Sequence, residues 1–266
     1  MADVDDIRTD LVAEQEDLDV LVAGLSERGW ERSTPAEGWS VGDQIGHLTY
    51  FDGAAQRALT APEQFRAEVE AVLAEGGDFT ERHLAQARAM SSGELLEDWR
   101  RGRQGLLTAV ARADPRVRVP WYGPPMSLAS FVSARLMEAW AHGQDVADGV
   151  GVVRSPSDRL RHIAHIGVRS RPFSYTVRGR QPPPEPVAVE LVAPSGERWT
   201  WDAQGAPDVV RGSALGFCLA VTQRRHVDDT DIVAEGERAR EWMQVAQAFA
   251  GPPGPGRRPG QFAPLR

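Results

Sequence analysis

From Asp5 to Gly151 the chain repeats one pattern: apolar residues at helical spacing, closed off by a capping residue, a glycine or a proline. Segments patterned this way bury their stripes most readily helix against helix. In Asp5 to Leu25, the residues Ile7, Leu11, Leu18, Leu21, Val22 and Leu25 share a face and carboxylates take the other. After a loop with Pro35 and Gly38, Ser40 reads as an N-cap, with Asp43 three residues on as a short variant of the capping box. That helix runs from about Val41 to Leu59, ahead of Pro62. Pro62 to Ala74 and Phe79 to Ala89 read as shorter helices separated by Gly76 and Gly77. Ser91 or Ser92 caps a long helix through Trp99, Leu106 and Val110 that ends before Asp114-Pro115. Residues 115–126 are rich in proline and unsuited to regular helix. Ser127 then caps a helix with Leu128, Phe131, Leu136, Ala139, Trp140 and Val146 apolar, and Gly149 and Gly151 follow. Four principal helices and a helical insertion make a four-helix bundle.

The second half is patterned differently. Asp158 to Val168 reads as a helix. Val187–Ala193 and Arg198–Trp201 read as strands joined by a hairpin-like turn at Pro194-Ser195-Gly196. Gly212–Arg225 and Gly236–Phe249 read as helices. The expected architecture is therefore α followed by α/β: a bundle over 1–152, a small α/β domain over 153–250, and a Pro/Gly-rich tail over 251–266. The tail is expected to be disordered or draped over the surface.

Charge and composition narrow the function. The net charge is −8, and all 30 basic residues are arginine. A chain with this balance and no basic stripe is not expected to bind nucleic acid or an anionic membrane. Without lysine, Schiff-base catalysis and a P-loop lysine are excluded. Cys218 is the one cysteine, so no internal disulfide forms. The acidic N-terminus has no signal-peptide character and no apolar run matches a membrane span, so the expected location is the cytoplasm.

The residues that carry chemistry lie in the last bundle helix. Glu138 and His142 are four apart, which stacks them on one face, and Met137, Ala139, Trp140 and Ala141 around them are apolar. A buried carboxylate and imidazole need partners, and one cation satisfies both. His47, flanked by Ile45, Leu48 and Phe51, with Gly42 and Gly46 permitting close approach, is the candidate third ligand. Two histidines and one carboxylate form a three-ligand site with an open position, the pattern of catalytic zinc. Spacing alone favours the plainer reading, because Glu-x-x-x-His pairs are common on exposed helix faces.

The segments GWSVGDQIGHL (Gly38–Leu48) and EAWAHGQDVADG (Glu138–Gly149) resemble the DinB/YfiT-like superfamily, and more narrowly the mycothiol-dependent maleylpyruvate isomerase metal-binding family. The C-terminal stretch from Gly212 is similar to actinobacterial-type metal-binding proteins. The resemblance implies a DinB-like bundle in which a histidine of the second helix and two ligands four apart on the fourth hold a divalent metal, usually zinc. On this sequence those are His47, Glu138 and His142. It also implies a low-molecular-weight thiol, by analogy mycothiol, bound at the open position, and a small electrophilic, carboxylate-bearing substrate for isomerisation or S-transfer. The isomerase family uses a C-terminal-domain arginine near its active site; Arg224 and Arg225 both qualify, with Arg224 slightly preferred. Two other readings stay open: metal-activated water in a hydrolase or lyase, and a noncatalytic metal- or ligand-binding module.

Other residues read more plainly. His162 and His165 are three apart but lack a completing carboxylate or cysteine. Asp145 is either an orienting partner of an imidazole or a surface residue near the helix end. Cys218, among Leu215, Phe217, Leu219 and Val221, reads as a buried inert thiol. Trp39, Tyr50, Trp121 and Tyr122 read as core or lid residues, the last two with a plausible pocket-wall role.

Overall fold

In the computed structural model, which describes residues 3–75, 79–202 and 204–263, helix starts follow capping chemistry closely. Helix α1 (Val4–Ala23) begins at Asp3, whose carboxylate accepts from the Asp5 N–H. A single turn, α2 (Glu27–Trp30), precedes α3 (Val41–Thr60). Ser40 and Asp43 form a full capping box at the start of α3, with the Ser40 N–H donating to Asp43 at 2.8 Å. The short helices α4 (Pro62–Glu75) and α5 (Phe79–Arg88) follow; Gly76 and Gly77, expected to separate them, lie outside the described residues. Ser91 and Glu94 make a second capping box for α6 (Ser92–Arg112). Two short paired strands, β1 (Arg118–Val119) and β2 (Met126–Ser127), lead into α7 (Leu128–Val150). Helix α7 is capped by Ser127 and ends at Gly151, whose φ of 75° is the left-handed value that glycine adopts freely.

The chain divides into two compact units, Met1–Arg154 and Ser155–Arg266. In the first, α3 packs on α6, α5 and α7, and α1 packs on α7. Leu18, Val22, Trp30, Val41, Ile45, Leu48, Ala87, Leu95, Trp99 and Val146 form one buried cluster among these helices. Gly46 lets α5 approach: a Cβ there would sit 2.4 Å from the Ala87 Cβ. A polar clasp joins α1 to α6, where Arg100 grips both Asp19 oxygens and Arg103 donates to the Gln15 carbonyl at 2.9 Å. These guanidinium bonds, the Arg100 contact above all, hold the Asp19 carboxyl below its ordinary value.

The second unit carries α8 (Leu160–Arg169), α9 (Arg171–Thr176) and a four-stranded sheet. Its strands are β3 (Val187–Val192), β4 (Arg198–Trp201), β5 (Asp208–Ser213) and β6 (Val233–Glu235), in the order β4-β3-β5-β6. The β3–β4 pair is the expected antiparallel hairpin; β5 runs parallel to β3, with Val189 opposite Val210. Helices α10 (Ala214–Val221) and α11 (Glu237–Val245) pack against this sheet.

Three expectations for this unit need correction. Gly212 is the penultimate residue of a strand rather than the start of a helix, and Ser213 is the N-cap that begins α10. Helix α10 ends before Arg224 and Arg225, because Gln223 takes a φ of 58° and the N–H groups of both arginines return to the Leu219 carbonyl. Helix α11 stops at Val245: Ala246 is extended, the Gln247 N–H donates to Ser174 Oγ at 3.0 Å, and the Ala248 N–H donates to the Val221 carbonyl. The tail lies against its own unit, with the Gly260 N–H on Asp229 at 2.7 Å and Phe262 3.6 Å from the Arg225 guanidinium carbon.

Candidate metal centre

Helices α3 and α7 bring together the three residues singled out in the sequence. Among the described residues, His47, Glu138 and His142 form one group whose ligand atoms all lie within 4.8 Å of one another. The two imidazoles face the same carboxylate: His142 Nε2 is 3.2 Å from Glu138 Oε2, and His47 Nε2 is 3.8 Å from that oxygen. Their ring centroids are 4.4 Å apart. This is a loose form of a tetrahedral arrangement, whose ligand edges measure ~3.4 Å when the bonds are ~2.1 Å.

The electrostatics favour coordination over protonation at His47. Burial, then the neighbouring His142, pushes its pKa down to about 3, so the ring is neutral at neutral pH. Its Nδ1 is buried and meets no hydrogen-bond partner. Burial also acts to raise the Glu138 pKa. Hydrogen bonding to His142 and His47 and the Arg135 charge outweigh it, and the carboxyl is held well below its ordinary value. A neutral nitrogen donor and an ionised carboxylate in a sheltered place suit a divalent cation.

A hydrogen-bond chain fixes which nitrogen of His142 is available. The Thr34 hydroxyl donates to the Trp39 carbonyl at 2.9 Å, so its oxygen receives Gln44 Nε2, also at 2.9 Å. That leaves Gln44 Oε1 facing His142 Nδ1 at 2.5 Å, where it can only accept. Nδ1 therefore carries hydrogen, and Nε2 is the atom presented to Glu138 and to a metal. Sequence reading considered Asp145 for this orienting role. The structure gives it to Gln44, three residues before His47, while Asp145 is buried rather than a surface residue.

Aromatic rings enclose the group. Trp39 lies 5.3 Å from His47 and stacks on His142 at 6.0 Å, and Phe51 lies 4.6 Å from His47. His83, from α5, sits 5.4 Å from His47 and stacks on Tyr50 at 4.6 Å. Trp121 and Tyr122 join this wall through Phe51 and Phe65. From the sequence His83 reads as a solvent-facing or cap histidine, whereas it is buried against α3. Sequence reading missed Arg135, which lies three residues before Glu138 with its Nη2 4.0 Å from Glu138 Oε1. The 135–138–142 spacing, three then four along one helix, was the available signal.

The other expected residues lie in the second unit. The Arg224 side chain donates to the Thr222 carbonyl and that of Arg225 to the Arg224 carbonyl, each at 2.7 Å. His165 accepts from Trp201 Nε1 at 3.2 Å instead of joining His162 around a cation. Cys218 is fully buried, and burial pushes its thiol pKa well up, as expected for an inert thiol. No helix among the described residues is long and apolar enough to cross a membrane.

Comparison with known proteins places these features in a lineage. Residues 11–147 match the model of the mycothiol maleylpyruvate isomerase N-terminal domain. Two uncharacterized proteins of Mycobacterium tuberculosis, from strains CDC 1551 / Oshkosh and H37Rv, are each 46% identical over 257 residues, covering 97% of this chain and all of theirs. The crystal structures of the mycothiol-dependent maleylpyruvate isomerase and of a point mutant of it align with a TM-score of 0.59 at 16% identity. They cover 88% of this chain and 93% of theirs, a likeness of fold. The chain belongs to the DinB-like mycothiol maleylpyruvate isomerase family.

Proposed function

We propose that this protein is a divalent-metal-dependent enzyme that uses a low-molecular-weight thiol of the mycothiol type for isomerisation or S-transfer on a small, carboxylate-bearing electrophile. The observation that carries the proposal is the convergence of His47 Nε2, His142 Nε2 and a Glu138 oxygen inside an aromatic enclosure. Three protein ligands leave a coordination position for an exogenous group, and zinc is the first candidate for the ion. When bound, such a metal supplies the positive charge that keeps a coordinated thiol ionised near neutral pH.

The protein's own groups do the rest. Gln44 holds His142 in one tautomer, and the buried imidazole of His47 stays neutral and ready to coordinate. Trp39 and Phe51 limit water around the nucleophile, which favours addition to the substrate over hydrolytic side reactions. Arg224 and Arg225 are the proposed second-unit donors for a substrate carboxylate. Arg224 is preferred, because Phe262 lies over the Arg225 guanidinium. The unpaired, buried Cys218 suits the reducing cytoplasm, which we propose as the working compartment.

The test is metal analysis of the wild type and His142→Ala, followed by thiol titration of the cobalt-substituted protein. Stoichiometric metal in the wild type, loss of it in the variant, and a thiol-induced change in the cobalt absorption are expected. Full metal retention by the variant refutes the ligand set. A cobalt spectrum indifferent to thiol refutes the thiol chemistry and points to metal-activated water.

A further inference from the structure

Arg135 is nearly as buried as the core around it, at 6% exposure, yet its guanidinium finds little satisfaction among the described residues. Its Nε and Nη1 are enclosed without an acceptor, and Nη2 faces Glu138 Oε1 across 4.0 Å, beyond hydrogen-bond range. The guanidinium lies over two aromatic faces, 5.0 Å from the Trp121 ring and 5.8 Å from Phe51. A buried, permanently charged group with unmet donors is costly to a folded protein, and a structural role would normally satisfy the fork. Arg103 in the same unit shows the contrast, since it donates to the Gln15 carbonyl and to Asp19.

The charges nearby point the same way. Glu138, and the buried Asp52 when ionised, offset Arg135 while no cation is bound. With a divalent ion between His47, Glu138 and His142, that carboxylate is shared with the metal, and the cluster of Arg135, Glu138 and metal carries net positive charge. Such a cluster favours an anion. The Trp121 and Phe51 rings, 6.1 Å apart, lie together against the guanidinium, and a planar group is the best fit to the fork beside them.

We propose that Arg135 is a substrate-anchoring residue, receiving a planar carboxylate on its unmet donors and orienting the substrate's neighbouring carbon toward the metal centre. The anchor sits on the same helix as Glu138 and His142, one turn away, so substrate position and metal position are set by one rigid element. It therefore determines specificity from within the bundle, whatever the second-unit arginines contribute. This inference rests on the metal reading above and deepens it.

The experiment uses cobalt-loaded protein without thiol, with crotonate and its neutral isostere crotonamide as probes. Binding is followed by paramagnetic broadening of the probe's proton resonances. Wild type is expected to prefer crotonate by at least tenfold, Arg135→Gln to lose that preference, and Arg135→Lys to recover part of it. Metal content and the thiol response of the cobalt spectrum should match wild type in both variants. The inference is overturned by a wild type that does not distinguish the probes. It is overturned equally by a preference that survives in Arg135→Gln, which would assign the anion to the metal alone. Loss of fold or metal in both variants would make Arg135 structural and also overturn it. A carboxylate preference that depends on Arg135 in a protein whose cobalt spectrum ignores thiols supports the anchor while refuting the thiol chemistry. Failure of wild type to take up cobalt refutes the metal reading itself.

Discussion

Replacing Gln44 by methionine removes one amide without much change in volume, and it tests whether the Thr34–Gln44–His142 chain sets the chemistry of the centre. Gln44 is fully buried, and both ends of its amide are committed, one to Thr34 Oγ1 and the other to His142 Nδ1. In Gln44→Met the imidazole keeps its place on α7 but loses the acceptor that fixes its tautomer and raises its basicity. Loss of such an outer partner typically lowers metal affinity about 10- to 100-fold, equivalent to about 1.4–2.7 kcal/mol. Unfolding stability should fall by about 1–3 kcal/mol as well, because the buried His142 N–H is left unmet. Thr34→Val is the graded control: it frees the Gln44 amide to rotate without removing it, so its affinity loss should be smaller. Competition against a chromophoric chelator gives the dissociation constants, and circular dichroism establishes that the helices persist. A well-folded Gln44→Met protein whose affinity lies within twofold of wild type would refute the reasoning.

Further outcomes follow from other parts of the first unit. Asp52 is buried, and burial, partly opposed by Arg135, raises its pKa from 3.8 to about 7. A raised acid favours the protonated folded state, so its stabilising contribution is fully present below pH 3.8 and is lost as pH rises through about 7. Asp52→Asn should flatten that decline, by at most about 3 kcal/mol between pH 5 and pH 8, in denaturant titrations of metal-free protein; parallel curves for variant and wild type would refute it. Gly46→Ala should destabilise by about 1–3 kcal/mol, because the new Cβ meets Ala87 at 2.4 Å; an unchanged melting temperature would contradict the packing. Cys218 should resist aromatic disulfide reagents in the native protein and react only on unfolding, since it is buried and its pKa is raised; rapid native labelling would show that α10 is not closed over it.

Much of the first unit was legible because its signals are local. Ser40 with Asp43 and Ser127 define helix starts within a few residues, and Glu138 with His142 share a face by spacing alone. The third ligand is 91 positions from Glu138, and proximity at that range is a property of packing, so the resemblance supplied what periodicity could not. Gln44 and Arg135 escaped notice for a different reason. Each lies one turn before a ligand, in a segment whose polar residues look like ordinary solvent-facing ones. Only burial distinguishes them, and burial is not written in a single helix. In the second unit the parallel β3–β5 pairing was hidden because β5 is a short run interrupted by Arg211 and Gly212, and the strand β4 intervenes between it and its partner. The tail's proline and glycine content concealed its docking, which depends on a backbone N–H of Gly260 and the ring of Phe262.

The origin of His83 has a consequence for how such a protein can diversify. The metal-ligand candidates and their orienting amide belong to α3 and α7, whereas this part of the enclosing wall comes from α5, in the insertion. Changes of length or side chain in the insertion can reshape what the centre admits while its ligands keep their positions. Part of the selectivity then occupies a different stretch of the gene from the metal ligands, and that part can drift while the ligands are held.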